Sequence, residues 1–151
     1  MFRVSCIQLK SNNNIHDNLK NTQKLIIKAV SQKTDLILTP EVSSLFSLNK
    51  KNLLKISTSM KDDIYLNGVR KLAKKYSKWI LIGSLIIKIK EKLVNRSVLI
   101  DGNGKIKSYY DKIHMYDVIL SKKEKYFESK TFTPGKKIKL YKLPWGKLGF
   151  S

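Results

Sequence analysis

The first part of the chain alternates between short apolar runs and longer segments whose apolar residues recur at helical spacing. The run Arg3–Leu9 predicts a first strand, and the run Asp35–Leu38 predicts a second. Between them, apolar positions near a helical period from Ile15 to about Ser31 predict an amphipathic helix. A strand, a helix and a strand in this order form a βαβ unit, which implies parallel strands joined by a right-handed crossover.

The next segments predict a second helix and a β-hairpin. Ser43–Lys55 has no clear period and is expected to be loop with helical turns, whereas Ser59–Tyr76 predicts an amphipathic helix. Trp79–Ile89 gives the strongest strand pattern of the chain. It turns through Lys90–Lys92 into Asn95–Ile100, which alternates well enough to be its hairpin partner.

The last part of the chain predicts further strands around a polar segment. Lys105–Tyr110 is strand-like, and Ser121–Thr133 is polar and irregular. Ile138–Tyr141 predicts another strand, and after the turn at Pro144–Lys147 a final strand begins in Leu148–Ser151. Because no repeat, low-complexity tract or linker interrupts this pattern, residues 1–151 are expected to form one α/β domain.

The net charge of +20 is the unusual feature of the composition. A balance this basic suggests nucleic acid or an acidic membrane surface as a partner. Only three of the 31 basic residues are arginines, namely Arg3, Arg70 and Arg96. Proteins that recognise phosphates and bases favour arginine, whose guanidinium donates two hydrogen bonds at once. The lysines are also spread over most of the chain. We therefore interpret the charge as solvated surface and expect no specific nucleic-acid partner and no membrane partner.

The single cysteine, Cys6, excludes an internal disulfide and a cysteine-rich zinc site. It lies in the apolar run of the first strand, where Val4, Cys6 and Ile7 are the expected buried part, so it is interpreted as a small core residue. No early apolar segment approaches the length of a membrane span, and the first residues lack the layout of a signal peptide. A cytoplasmic protein is therefore expected.

The densest group of chemically active side chains is the segment Tyr109–Asp117, which follows a predicted strand. In open α/β sheets ligands bind outside the carboxyl ends of strands, which makes Lys112 a candidate site residue. A solvated loop with one lysine among many is an equally weighted alternative. Glu41 follows the second predicted strand in the same way. A carboxylate and an ammonium that meet there can act as general base and oxyanion stabiliser, or form an ordinary ion pair, and their spacing alone leaves both open.

Several motifs, in the same order and spacing, resemble the nitrilase (carbon–nitrogen hydrolase) superfamily. The segment with Lys112 is the most specific of them. The motifs are Leu36–Glu41, Tyr110–Asp117, Glu128–Ser129 with Pro134–Gly135, and Trp145–Phe150. Within the superfamily the chain is most similar to the branch of small amidases related to deaminated-glutathione amidase and ω-amidase.

The resemblance implies an α/β fold of the nitrilase type, a four-layer αββα sandwich with two sheets flanked by helices, of which residues 1–151 would form the N-terminal half. It also implies hydrolysis of a small linear ω-amide through a Glu-Lys-Cys triad. By position, Glu41 would be the general base and Lys112 the oxyanion stabiliser, while Glu128 would position Lys112 and the substrate. The resemblance implies no metal and no organic cofactor, and a homo-oligomer, a dimer or higher, for the complete protein.

One departure from the family pattern concerns the nucleophile. The family's cysteine is expected about two positions past Ser151, so residues 1–151 are expected to be a carbon–nitrogen hydrolase domain truncated before it and inactive alone. Two alternatives stay open beside this incomplete amidase. One is a non-catalytic half-sandwich that is a relic or an interaction protein, and the less favoured one is a basic nucleic-acid binder.

Overall fold

A computed structural model describes residues 1–151, which form one central sheet with helices on one face and a β-hairpin on the other. The helices are α1 (Ile15–Ser31), α2 (Lys50–Ile56) and α3 (Ile64–Tyr76), with a 3-10 helix at Glu128–Lys130. The strands are β1 (Val4–Cys6), β2 (Leu36–Leu38), β3 (Trp79–Ile89), β4 (Lys92–Ile100), β5 (Ile106–Asp111), β6 (Asp117–Ile119), β7 (Lys125–Phe127), β8 (Lys139–Leu143) and β9 (Gly146–Phe150).

The central sheet has the strand order β1-β2-β3-β4-β5. Strands β1, β2 and β3 are parallel, which confirms the predicted βαβ unit, and β3 and β4 form the predicted antiparallel hairpin. Because β4 is antiparallel to both β3 and β5, β5 runs in the same direction as β2. The residues that follow β2 and β5, including Glu41 and Lys112, therefore leave the sheet at the same edge.

Each face of the central sheet has its own apolar core. On one face α1 and α3 pack against the sheet around the fully buried side chains of Ile26, Tyr65, Leu66, Ile80 and Val98. On the opposite face, Leu143 and Phe150 of the β8–β9 hairpin form an apolar cluster with Leu36, Leu99 and Tyr110 of the sheet. The order of layers is therefore helices, sheet and the first strands of a second sheet.

Side-chain caps fix where the helices begin. The Asn14 side chain accepts hydrogen bonds from His16 N and Asp17 N, so α1 begins at the predicted position. The prediction for α3 was wrong at its start: the helix begins at Ile64, because the buried Asp63 carboxylate caps it by accepting a hydrogen bond from Leu66 N at 2.7 Å. Burial raises the pKa of Asp63 against the opposing effect of this bond. None of the three helices is long and apolar enough to cross a membrane.

The prediction that the first strand has a buried middle was wrong for Val4 and Cys6. Ile7 is buried, but Val4 is 41% exposed and Cys6 is exposed. Strand β1 lies at the edge of the sheet, and Val4 and Cys6 pair with Leu36 and Leu38. They therefore share the face that carries the β8–β9 hairpin, but the hairpin leaves this edge uncovered.

The polar segment after Lys112 has more structure than the sequence predicts. Strands β6 and β7 form a small antiparallel pair in which Asp117 lies opposite Phe127. The rings of Tyr116 and Tyr126 lie beside this pair with their centroids 6.2 Å apart. The segment Ser43–Lys55, expected to be loop with helical turns, ends in α2, whose Leu53 is buried in a third apolar cluster.

Candidate active site

Glu41 is positioned through its two neighbours in the chain. The main-chain oxygen of Pro40 accepts a hydrogen bond from Ser84 N at 3.2 Å, and Val42 N donates to Ser84 Oγ at 2.7 Å. Ser84 belongs to β3, in the interior of the sheet, so the backbone on both sides of Glu41 is tied to a rigid strand. The side chain of Glu41 is nevertheless 56% exposed.

Lys112 is positioned by main-chain bonds to two other elements. Its N–H donates to Asn95 O at 2.9 Å, and its carbonyl oxygen accepts from Gly135 N at 2.8 Å. The preceding residue, Asp111, forms a two-point ion pair with Arg96 at 2.6 and 2.8 Å. Since Arg96 and Asp111 are both largely buried, this pair fixes the end of β5 from which Lys112 projects.

Two glycines allow the backbone to approach closely on either side of the site. A Cβ atom on Gly83 would lie 2.1 Å from Thr39 O, just before Glu41. A Cβ atom on Gly135 would lie 2.1 Å from Asp111 O, just before Lys112. Real Cβ atoms do not approach an oxygen this closely, so both positions require glycine for the observed packing.

The three predicted site residues meet at the Lys112 ammonium. Lys112 Nζ donates to Glu41 Oε1 at 3.0 Å and to Glu128 Oε2 at 2.8 Å. Glu41 and Lys112 are 71 positions apart in sequence, and the fold brings their charged atoms to ion-pair distance. The catalytic roles of the three residues stay a prediction.

The hydrogen bonds to Glu128 occupy both of its carboxylate oxygens. Glu128 Oε2 accepts from Lys112 Nζ and from Tyr116 N at 2.7 Å, and Oε1 accepts from Asn95 Nδ2 at 3.4 Å. Burial opposes the charged form, but these donors and the Lys112 charge outweigh it and lower the pKa of Glu128. Partial burial likewise opposes the charge of Lys112, while the two carboxylates raise its pKa. The ammonium and the Glu128 carboxylate are therefore both charged at neutral pH.

Glu41 differs from Glu128 in having one oxygen free. Glu41 Oε1 accepts hydrogen bonds from Lys112 Nζ at 3.0 Å and from Asn95 Nδ2 at 2.8 Å. Glu41 Oε2 accepts no hydrogen bond from the protein, and the side chain is more than half exposed. Of the two carboxylates around Lys112, Glu41 is therefore the one with an oxygen open to a further hydrogen-bond donor.

The sequence prediction missed Asn95, which bonds to both carboxylates. Asn95 lies in β4 and is 2% exposed, and its Nδ2 donates to Glu41 and Glu128 while its Oδ1 is buried without a partner. A signal was available, since Asn95 is a polar residue inside a segment predicted to be a strand in the sheet. The sequence does not show which charged groups such an amide faces.

Two cavities open on either side of the Glu41–Lys112 ion pair. The larger, of about 540 Å³, is bordered by Glu41, Lys112 and Glu128 and is otherwise mainly apolar, with walls that include Phe46, Leu53, Ile86, Tyr116, Tyr126, Phe127 and Phe132. The smaller, of about 180 Å³, is lined by Glu41, Lys112, Asn95, Ser97, Gly83, Tyr110 and Ser151. Cys6 lines neither cavity. No group of His, Cys, Asp and Glu side chains is arranged to hold a metal ion.

The sequence model of the carbon–nitrogen hydrolase family matches residues 3–151. The chain belongs to the carbon–nitrogen hydrolase family. It is 34% identical to a deaminated glutathione amidase of Yersinia enterocolitica. The match covers 98% of this chain and 52% of the relative. It is 25% identical to the omega-amidase NIT2 of Danio rerio, over 98% of the chain and 53% of the relative. The chain thus spans about half the length of these amidases.

Solved structures place the carbon–nitrogen hydrolase chain in the nitrilase fold. The NitFhit protein of Caenorhabditis elegans superposes with a TM-score of 0.84 at 25% identity, covering 97% of this chain and 37% of that one. An amidase from Nesterenkonia sp. superposes with a TM-score of 0.79 at 21% identity, covering 98% and 54%. The predicted family and the predicted fold class are both confirmed.

Proposed function

We propose that residues 1–151 carry the general base and the oxyanion-stabilising lysine of an amidase that acts on a small linear ω-amide. The observation that carries the proposal is the arrangement at Lys112. Its ammonium lies between two carboxylates, of which Glu128 is fully bonded and Glu41 keeps Oε2 free. A general base needs an oxygen that is free to accept a proton, whereas a positioning carboxylate acts through the hydrogen bonds that it accepts.

In the proposed reaction, Glu41 Oε2 takes the proton of a cysteine thiol while the sulfur attacks the amide carbonyl carbon. The Lys112 ammonium stabilises the negative charge that develops on the carbonyl oxygen. The carbon–nitrogen bond then breaks, and Glu41 returns the proton to the leaving nitrogen, which departs as ammonia. A water molecule hydrolyses the resulting thioester, with Glu41 again serving as base, and the acid and the free thiol are released.

We propose that the thiol is supplied by polypeptide outside residues 1–151. Cys6 is the only cysteine of the chain, and it lies on the edge strand β1 and lines neither cavity at Glu41. Ser151, in contrast, lines the smaller cavity together with Glu41 and Lys112. A cysteine shortly after Ser151 would therefore lie close to both charged groups.

The lining of the larger cavity supports an ω-amide as substrate. Its wall is mostly apolar, which suits the methylene chain of a small linear acid, and Lys125 is its only basic residue besides Lys112. The Lys125 ammonium is available to pair with a carboxylate at the far end of such a substrate. The name of the relative from Danio rerio, omega-amidase NIT2, agrees with this class of substrate.

The exposed apolar residues on the sheet face that carries the hairpin favour a second candidate function, a non-catalytic interaction protein. Phe2 stacks on Trp145 with ring centroids 4.9 Å apart, yet Phe2 is 44% exposed, Trp145 is 41% exposed and Val4 lies uncovered beside them. An exposed apolar patch of this kind is a docking surface for other polypeptide. The activity experiment separates the two candidates.

The test compares the 151-residue chain with an extended protein, in which the second half of the Yersinia enterocolitica amidase follows Ser151. Ammonia release from α-ketoglutaramate is measured for both, after circular dichroism has shown that both are folded. We expect turnover from the extended protein alone, because a chain without the nucleophile loses a factor of about 10⁴ to 10⁶ in rate. Cys6→Ala should leave the extended protein active. Ammonia release by the 151-residue chain, or none by the folded extended protein, would contradict the proposal.

A further inference from the structure

We propose that Asn95 is a positioning residue that holds the Glu41 carboxylate so that Oε2 is the oxygen left free for proton transfer. The inference rests on the proposed function of Glu41 as general base. Asn95 Nδ2 donates to Glu41 Oε1 at 2.8 Å, the same oxygen that accepts from Lys112 Nζ at 3.0 Å. Two donors on one oxygen fix which oxygen faces the protein and which faces the cavity.

The position of the Asn95 amide is set by a rigid element. Asn95 lies within β4, opposite Ile86 of β3, and its main-chain oxygen accepts from Lys112 N at 2.9 Å. The side chain and the main chain of one residue therefore contact Glu41, Glu128 and Lys112. The Glu41 side chain is 56% exposed and bonded only at Oε1, so it depends on these two donors for its orientation.

Because Asn95 Oδ1 has no hydrogen-bond partner, we infer that the amide acts through the hydrogen bonds that its Nδ2 donates. A buried acceptor without a hydrogen bond is destabilising, and leucine would fill a similar volume without that cost. Reversing the amide would place Oδ1 against the carboxylates of Glu41 and Glu128, so the orientation of the amide is determined by its neighbours. The amide thus donates hydrogen bonds to two carboxylates, while its own oxygen is left without a hydrogen bond.

Asn95 also contributes to the difference between the two carboxylates. Lys112 binds one oxygen of each, and on its own this contact would let either carboxylate rotate to offer its second oxygen to the ammonium. With Asn95 Nδ2 bonded to Oε1 of both Glu41 and Glu128, rotation of Glu41 breaks a second hydrogen bond. Removing the Asn95 donor should therefore release Glu41 more than Glu128, which Tyr116 N also holds.

The first test uses NMR on the unmodified 151-residue chain, with a second buried asparagine as internal control. Asn18 is 3% exposed, and its Nδ2 donates to two main-chain oxygens, of Asn12 and Ser44. As the pH is lowered through the carboxyl range, the side-chain amide signals of Asn95 should shift and those of Asn18 should not. At neutral pH, Glu41→Gln should shift the Asn95 signals, whereas Glu91→Gln, in an exposed turn, should leave them in place.

The second test compares Asn95→Leu with Asn18→Leu. In Asn95→Leu the Glu128 carboxyl should titrate at a higher pH than in the unmodified chain, because it loses one donor, and ¹³C relaxation should show a more mobile Glu41 side chain. In Asn18→Leu both readouts should match the unmodified chain. The inference would be overturned if the Asn95 signals changed neither with pH nor in Glu41→Gln. It would also be overturned if the Glu128 titration and the Glu41 mobility were unchanged in Asn95→Leu. If Asn95→Leu does not fold, the first test decides. None of these readouts needs turnover, so a failed amidase assay leaves them intact.

Discussion

At the scale of residues, the candidate site consists of two carboxylates, one ammonium and one amide that are joined by hydrogen bonds. The family resemblance pointed to Glu41, Lys112 and Glu128 in the sequence, and the fold brings these three side chains together. The resemblance could not find Asn95, because an asparagine in a strand reveals its partners only when the sheet brings them together. Without the resemblance, the residue types alone would not distinguish the two glutamates, because the difference between them lies in which carboxylate oxygens accept hydrogen bonds.

The lowered pKa of Glu128 makes a prediction about stability and pH. Lowering means that the folded chain binds the proton less tightly than the unfolded chain, so Glu128 stabilises the fold at neutral pH. This stabilisation should be lost as the pH falls through the folded pKa, below the ordinary value of 4.5. We expect Glu128→Gln to lower the free energy of unfolding by about 1 kcal/mol at pH 7, the scale of a partly exposed ion pair.

Urea unfolding of Glu128→Gln and of the unmodified chain, between pH 3 and pH 7, measures this difference. It should shrink towards zero at the acid end, whereas Glu91→Gln should show little difference at any pH. A difference that grows on acidification would show that Glu128 is not stabilised by its charge.

At the scale of elements, helix α1 and strand β3 were predicted well, whereas the short strands β6 and β7 were not predicted. Helix α1 and strand β3 lie where the apolar pattern places them, because burial of one face determines that pattern. Strands β6 and β7 have only three residues each, and most of these positions are exposed, so no periodic burial pattern predicts them. Their pairing depends on tertiary contacts, such as Glu128 Oε2 accepting from Tyr116 N.

Gly83 should be intolerant of a side chain because β3 packs directly on the segment before Glu41. A Cβ at this position would lie 2.1 Å from Thr39 O, so Gly83→Ala should force the two segments apart. We expect a loss of about 1–3 kcal/mol in the free energy of unfolding. Gly149, in β9, is the matched control, since a Cβ there meets nothing within 4 Å.

Denaturant unfolding of both glycine variants measures the effect. Gly149→Ala should change the free energy of unfolding by no more than about 0.5 kcal/mol. Equal effects of Gly83→Ala and Gly149→Ala would mean that the close approach at Thr39 does not constrain the fold.

At the scale of the whole molecule, residues 1–151 present one complete helix-covered sheet and the first strands of a second. The family and the fold class could be predicted from the sequence because its motifs resemble those of carbon–nitrogen hydrolases in order and spacing. The exposure of Val4 and Cys6 at the sheet edge could not be predicted, because the apolar run Arg3–Leu9 does not show which of its residues other elements cover. The proposed chemistry is assigned to a longer polypeptide because Cys6, the only cysteine of the chain, lines neither cavity at Glu41.

The most direct test of the account is the effect of Glu41→Gln and Lys112→Ala on kcat/KM of the extended protein with α-ketoglutaramate. The account predicts a loss of about 10²–10⁴-fold for each, because one removes the base and the other the charge that stabilises the oxyanion. Glu91→Gln and Lys107→Ala, which alter charges away from the site, should retain the unmodified rate. Undiminished ammonia release by folded Glu41→Gln or Lys112→Ala protein would contradict the assignment of the active site.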